Sequence, residues 1–232
     1  MISTIDAVLF RVKDNQLQVL LWQRPETTDV FAGEWALPGG WVFEDQDATL
    51  EDATCRILEQ KVGLKPDYIE QVATIGNKHR DPRGWSATIL HLALIRESVS
   101  TLTHADTRWE NVASLLDETF PLPFDHRLLL EKALERLNTK ARYSTLPLYL
   151  AEQELKLPEL QKIYEIVLGN PLHKRAFRER ILSANVLEDT GVKVQGRGSP
   201  ATIYRYAADC PVTLFDRMMQ GASAENETEL KI

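Results

Sequence analysis

The chain has 232 residues, a net charge of −7, and hydrophobic and charged contents of 44% and 26%. These values exclude a disordered or low-complexity chain and suit one large domain or two unequal ones. No run approaches the roughly 20 apolar residues of a membrane helix, and the start MISTIDAVLFRVKDNQ lacks the pattern of a secretory signal, so a cytoplasmic protein without a membrane partner is expected. Cys55 and Cys210 show no metal-ligand spacing and read as reduced packing residues.

In chain order, the β-rich runs Ile5–Leu9 and Gln18–Trp22 flank a polar Lys13–Gln16 segment and predict a hairpin. Arg24-Pro25 opens a loop that runs through Gly33, and a short segment, Glu34–Val42, contains Leu37-Pro38-Gly39-Gly40. A helix is expected from Thr49 to Val62, with Thr49 and Asp52 as a capping box and Gly63 as the C′ glycine. Val72–Gly76 and Ala87–Ile95 read as strands. Leu128–Leu137 reads as an amphipathic helix with Leu129, Ala133 and Leu137 on one stripe. Together these predict a mixed α/β layer fold.

After a connection at Asn138–Leu157 the pattern changes. Pro158–Leu168 and His173–Ala184 are short helices around a Gly169-Asn170-Pro171 turn. Val192–Gln195 and Thr202–Tyr206 flank Gly196–Pro200 as a two-stranded hairpin. Helix, turn, helix and hairpin is the plan of a winged helix-turn-helix. The expected division is 1–140, 141–157 as a connector, 158–208, and a polar tail over 209–232.

Leu37-Pro38-Gly39-Gly40 followed by a helix ending in Gly63-Leu64 resembles the Nudix family. Aligned back from Gly63, Arg56 matches the box arginine, and Leu58 and Leu64 match hydrophobic positions. The three carboxylate positions hold Ile57, Gln60 and Lys61, and the loop before Arg56 is two residues longer than usual. Glu44 and Asp47 lie nearby, off register. Positions 57, 60 and 61 share one helix face, where a working Nudix enzyme needs hard oxygen ligands for Mg²⁺. Isoleucine supplies none, and the lysine ammonium repels a metal but suits a phosphate. No catalytic residue and no bound metal are therefore expected.

His79-Arg80-Asp81-Pro82-Arg83-Gly84-Trp85, between two strands, reads either as a charged surface turn or as an anion and sugar clamp, since arginine forks match phosphate oxygens. A similar segment occurs in Nudix proteins that act on ADP-ribose. The expected effector set is Arg24, Trp35, Arg56, Lys61, His79, Arg80, Asp81 and Arg83, with Trp35, Trp41 and Trp85 as candidate adenine platforms.

The negative total hides an uneven distribution. Lys156–Ala207 carries nine Lys/Arg against five Asp/Glu, a net of +4, leaving −11 on the remainder. On His173–Ala184, Phe177, Ile181 and Ala184 make a packing stripe, and Arg175 and Arg178 point away from it with Lys174 on the flank. Cations on the free face of a second helix-turn-helix helix are placed to meet phosphates and guanine edges. The expected DNA set is Lys174, Arg175 and Arg178, with Lys193, Arg197 and Ser199 on the wing.

Phe124-Asp125-His126-Arg127, Leu160-Gln161, Tyr164-Glu165, Lys174-Arg175, Phe177-Arg178 and Ile203-Tyr204-Arg205 resemble the Nudix-related transcriptional regulators of NAD metabolism, the NrtR family. That resemblance implies an N-terminal Nudix-like α/β/α sandwich followed by a winged helix-turn-helix. It also implies a homodimer on a palindromic double-stranded operator, repression of NAD biosynthesis or salvage genes, and ADP-ribose or a related nucleotide as effector without a cofactor. The alternatives are a divergent Nudix hydrolase, or a nucleotide-binding module whose helical tail only dimerises or docks on protein.

Overall fold

Strand β1 (Ile2–Lys13) turns back into β2 (Gln16–Gln23) through Asp14 and Asn15, both at positive φ (52° and 58°). That is the geometry a two-residue hairpin needs to match strand twist, and Lys13 pairs with Gln16 across it. The computed structural model describes residues 2–117, 119–195, 200–207, 210–219 and 221. The chain divides into two units, Met1–Arg136 and Leu137–Ile232.

In the first unit, β3 (Trp35–Ala36), β4 (Gly39–Trp41), β5 (Tyr68–Asn77), β6 (Ser86–Leu94) and β7 (Thr107–Asn111) complete a seven-stranded mixed sheet with the path β3-β2-β1-β6-β5. β1 runs parallel to β6, and its first half pairs with β4 and its second with β2. Both faces of β1 are buried, so it reads as a near-continuous apolar run interrupted by Asp6.

Helix α1 (Leu50–Val62) covers one face, packing Leu58 and Val62 against Ala7, Leu9 and Ala93. Its ends form as the sequence predicts. Thr49 Oγ1 accepts from the Asp52 N–H, the Asp52 carboxylate accepts from the Thr49 N–H, and Gly63 closes the helix at φ 68°. A short helix α2 (Val112–Leu116) follows β7. Helix α3 (His126–Tyr143) is tied to the sheet by the Leu37 N–H, which donates to His126 Nδ1 at 3.0 Å, and by Arg136, which donates to the Val72 carbonyl of β5.

The division between the units falls inside α3. Residues 141–157, read from sequence as a connector, are integral to the second unit. They hold the end of α3, a buried 3₁₀ turn at Leu146–Leu150, and β8 (Glu154–Leu155), which pairs with β10 (Ala201–Arg205). The leucines of this turn bury without helical periodicity, which is why the segment looks like a linker in sequence. Part of the expected polar tail is ordered too, since Met219 is buried and Phe215 and Met219 donate backbone N–H groups to Tyr143 and Arg142.

Helices α4 (Leu157–Leu168) and α5 (Lys174–Ser183) form the helix-turn-helix. Glu165 accepts from the Leu172 N–H and Gln161 donates to the Leu172 carbonyl, so two α4 side chains satisfy the turn backbone. Tyr164 is wholly buried, packs edge-on against Phe177 at 5.3 Å and donates to the Ser144 carbonyl. β9 (Glu188–Val194) and β10 are the wing, and with β8 they make a three-stranded sheet. β9 starts four residues earlier than the sequence suggests, because its exposed first half has no apolar alternation to read. Among the described residues, no helix is long and apolar enough to cross a membrane.

Candidate functional site

A cavity of about 300 Å³ opens where β1, β2 and β4 meet the end of α1. The paired glycines of β4 shape it. A Cβ on Gly39 would stand 2.2 Å from Asp6 Oδ1 and 2.8 Å from the Ile5 carbonyl, and one on Gly40 would press Ile57 at 3.2 Å. Only bare backbone fits between β1 and α1 here.

Of the eight expected effector residues, Arg24, Lys61, Arg80, Asp81 and Arg83 line this cavity and Trp35, Arg56 and His79 do not. Trp35 lies under Arg108, whose guanidinium is 4.3 Å from its ring, and lines a separate cleft with Phe120. Arg56 is taken up by a fork onto Asp47 and by the Trp41 carbonyl. His79 is exposed on the loop. Of the three candidate platforms, only Trp41 borders the cavity, at 46% exposure.

Arg80 is not a free clamp. It is buried, donates twice to Asp125 at 3.1 Å, and reaches Asp6 and Ser86 Oγ, each at 3.2 Å. Arg83 sits nearer solvent and forks onto Asp81, whose carboxyl it holds below the usual carboxylate range. Arg24 donates to the Val30 carbonyl and lies 5.0 Å from the Phe124 ring. Burial lowers its guanidinium pKa, with nearby Arg83 adding to the effect.

Sequence reasoning did not assign Asp6, Phe124, Asp125 or His126 to the site. His126 is buried at the cavity wall, its Nδ1 accepts from the Leu37 N–H at 3.0 Å, and its Nε2 faces Asp6 at 3.6 Å. Burial pushes its imidazole pKa down. Asp125 and His126 lie in a tetrapeptide that the family resemblance singles out. A lone Asp6 within an apolar strand is the other signal, since a buried carboxylate demands a partner.

A Nudix site implies Mg²⁺, and the donor set here does not fit one. Ile57 is 1% exposed and packs against Ile5 and Ala53. Gln60 points to solvent, and Lys61 places an ammonium in the cavity. Asp47 is committed to Arg56 and to the Phe43 N–H. Among the described residues, no group of three or more His, Cys, Asp or Glu side chains is arranged to hold an ion.

In the second unit, α5 presents Lys174, Arg175 and Arg178 to solvent while Phe177 and Ile181 face the core. Ala184, expected on the packing stripe, is only half-buried. Arg175 pairs with Glu179 at 2.9 Å one turn on. Lys193 is exposed on β9, and Arg197 and Ser199 fall outside the described residues.

Residues 3–132 match the NUDIX domain family, and residues 147–206 match the NrtR DNA-binding winged helix domain. The chain is 42% identical over 223 residues to the ADPR responsive transcriptional repressor NtrR of Acinetobacter baylyi, covering 94% of this chain and 87% of that one. It is similar to Shewanella oneidensis NrtR crystallised with a 27mer DNA, at 41% identity and a TM-score of 0.87, covering 95% of this chain and all of the other. The NUDIX domain of that Shewanella protein, crystallised with ADP ribose, is 43% identical, with a TM-score of 0.52 over 59% of this chain and 88% of its own.

Proposed function

Because the chain belongs to the NrtR family, in which a Nudix domain precedes a winged helix, we propose that it is a cytoplasmic DNA-binding repressor of NAD biosynthesis or salvage genes. Its first unit senses ADP-ribose or a related nucleotide, and its second binds a palindromic operator as part of a homodimer. The observation that carries this reading is the likeness across nearly the whole chain to one protein crystallised with DNA, whose Nudix domain was also crystallised with ADP ribose.

The residues support each half. Lys174 and Arg178 are exposed on the second helix of the helix-turn-helix, where cations meet phosphates and base edges. The cation-lined cavity suits a diphosphate, and the exposed Trp41 on its border suits a base. Ile57, Gln60 and Lys61 offer no carboxylate, so the unit binds its nucleotide without hydrolysing it. The divergent-hydrolase alternative finds no support in this donor set.

Effector and operator are coupled if the two ligands prefer different states of the protein. The test is fluorescence anisotropy on labelled promoter DNA of NAD biosynthesis genes, titrated with ADP-ribose and related nucleotides both with Mg²⁺ and in excess EDTA. Tight, sequence-dependent binding that ADP-ribose weakens is expected. DNA binding that no nucleotide changes would remove the sensor, and absence of sequence-dependent binding would remove the repressor.

A further inference from the structure

Four cations border the cavity, and two of them are answered by carboxylates. Arg80 meets Asp6 and Asp125, and Arg83 meets Asp81. Lys61 and Arg24 are different. Lys61 Nζ donates to the Gly39 carbonyl and sits 4.0 Å over the Trp22 ring. Arg24 has the Val30 carbonyl and the Phe124 face. Neither forms an ion pair with a carboxylate among the described residues, although Lys61 is largely buried. A desolvated ammonium without a counter-ion is costly, and the open side of the cavity is where an anion could relieve that cost.

The position of Lys61 on α1 sharpens the point. It lies one helical turn from Ile57, on the face where a divalent cation would need oxygen ligands, and it brings a fixed positive charge there instead. The charged groups around it are few. Asp6 on β1 attracts it, Arg24 beyond β2 and Arg56 on its own helix repel it, and β4 contributes only the Gly39 carbonyl. His104 touches its backbone carbonyl rather than its ammonium. Arg80 and His126 face Asp6.

We infer that Lys61, assisted by Arg24, stands in for the divalent cation and seats the effector's diphosphate directly, so that effector binding needs no metal and is coupled to the protonation of Lys61. This rests on reading the cavity as an ADP-ribose sensor. Burial, and repulsion from Arg24, lower the free ammonium to about 8. A seated diphosphate raises it again, because an opposite charge favours the protonated form. Below about pH 7 the lysine is charged whether or not effector is bound, and affinity is flat. Above about pH 8 the free lysine loses its proton, binding must take one up, and affinity falls by about tenfold per pH unit. Each phosphate of ADP-ribose carries one ester and one anhydride bond and a single strongly acidic oxygen, so the diphosphate stays ionised throughout and the ligand adds no slope of its own.

The experiment is calorimetry of the full chain with ADP-ribose in excess EDTA, at about pH 7 and about pH 9, in buffers of different ionisation enthalpy. Wild type should bind without metal, weaken about tenfold between the two, and take up close to one proton at the higher pH. Lys61→Arg, whose charge does not titrate there, should bind with no pH slope. Lys61→Met should bind more weakly at about pH 7, also without slope. Binding by wild type that needs Mg²⁺, or that keeps the same affinity at both pH values, overturns the lysine seat while leaving the sensor reading intact. Failure of wild type to bind ADP-ribose or related nucleotides at either pH, with or without Mg²⁺, overturns the sensor reading itself.

Discussion

Replacing Arg80 by alanine deletes the guanidinium that joins β1, the loop before β6 and the start of α3. The side chains left behind are Asp6 and Asp125, only 9% and 14% exposed, while that of Arg80 is 4% exposed. All three are too buried for solvent to screen the loss. Breaking a buried pair by removing one partner costs about 3–5 kcal/mol, because the carboxylates keep their desolvation and lose their cation. At about 2–4 °C per kcal/mol for a chain of this size, the melting temperature of Arg80→Ala should fall on the order of 10 °C. Arg83→Ala is a milder case: its own side chain is 34% exposed, so water can reach the vacated place, and although Asp81 is only 4% exposed it keeps Arg80 nearby; the melting temperature should fall, but by less than that of Arg80→Ala. The assay is calorimetric melting of both variants, with and without ADP-ribose. If Arg80→Ala melts with wild type yet fails to bind effector, Arg80 is a ligand group and the argument that its donors belong to Asp6 and Asp125 is wrong.

Stability should decline as pH falls below about 6.5, where unfolded histidine begins to protonate. His91 and His126 are both buried with pKa values lowered by desolvation, so the unfolded state takes up protons that the folded state refuses. His91→Leu should reduce that acid dependence and raise stability, since the imidazole is fully buried in the core and desolvation dominates its lowered pKa; a melting temperature with an unchanged pH slope would refute it. Arg178→Ala should weaken operator binding by about 1–3 kcal/mol, and Arg175→Ala, whose cation is shared with Glu179, by less. Anisotropy across a salt series checks this, and equal losses would show that the Glu179 pair opens on DNA. Gly39→Ala should destabilise the first unit, because its Cβ meets Asp6 and the Ile5 carbonyl below any allowed distance; wild-type melting would show that β4 can shift.

Local chemistry was legible in the sequence where one or two residues decide the outcome. Thr49 and Asp52 start α1 and Gly63 ends it, because caps act within a single turn. β7 was not legible, since Thr107-Arg108-Trp109-Glu110-Asn111 shows no clean apolar alternation and is held by pairing with β2. Within the site, the arginine-rich loop stood out by composition, but its two arginines have separate fates. Arg80 finds its carboxylates 74 and 45 positions away, and Arg83 finds one two positions away. Charge type says that a partner is needed, not whether protein or ligand provides it. The same limit placed Trp35 and Arg56 in the effector set, although the fold gives each a neighbour of its own.

The packing of Ile57 also constrains the history open to this chain. The side chain is 1% exposed, enclosed by Ile5 and Ala53, and pressed against the spot where Gly40 carries no Cβ. A single codon change to a carboxylate would not hand a ligand to the cavity; it would put an unpaired anion into an apolar pocket at a cost of several kcal/mol. Loosening the core to turn that carboxylate outward would lower stability before any benefit arrived. The geometry of one isoleucine thus ties any change at this position to the packing of the strand and helix around it.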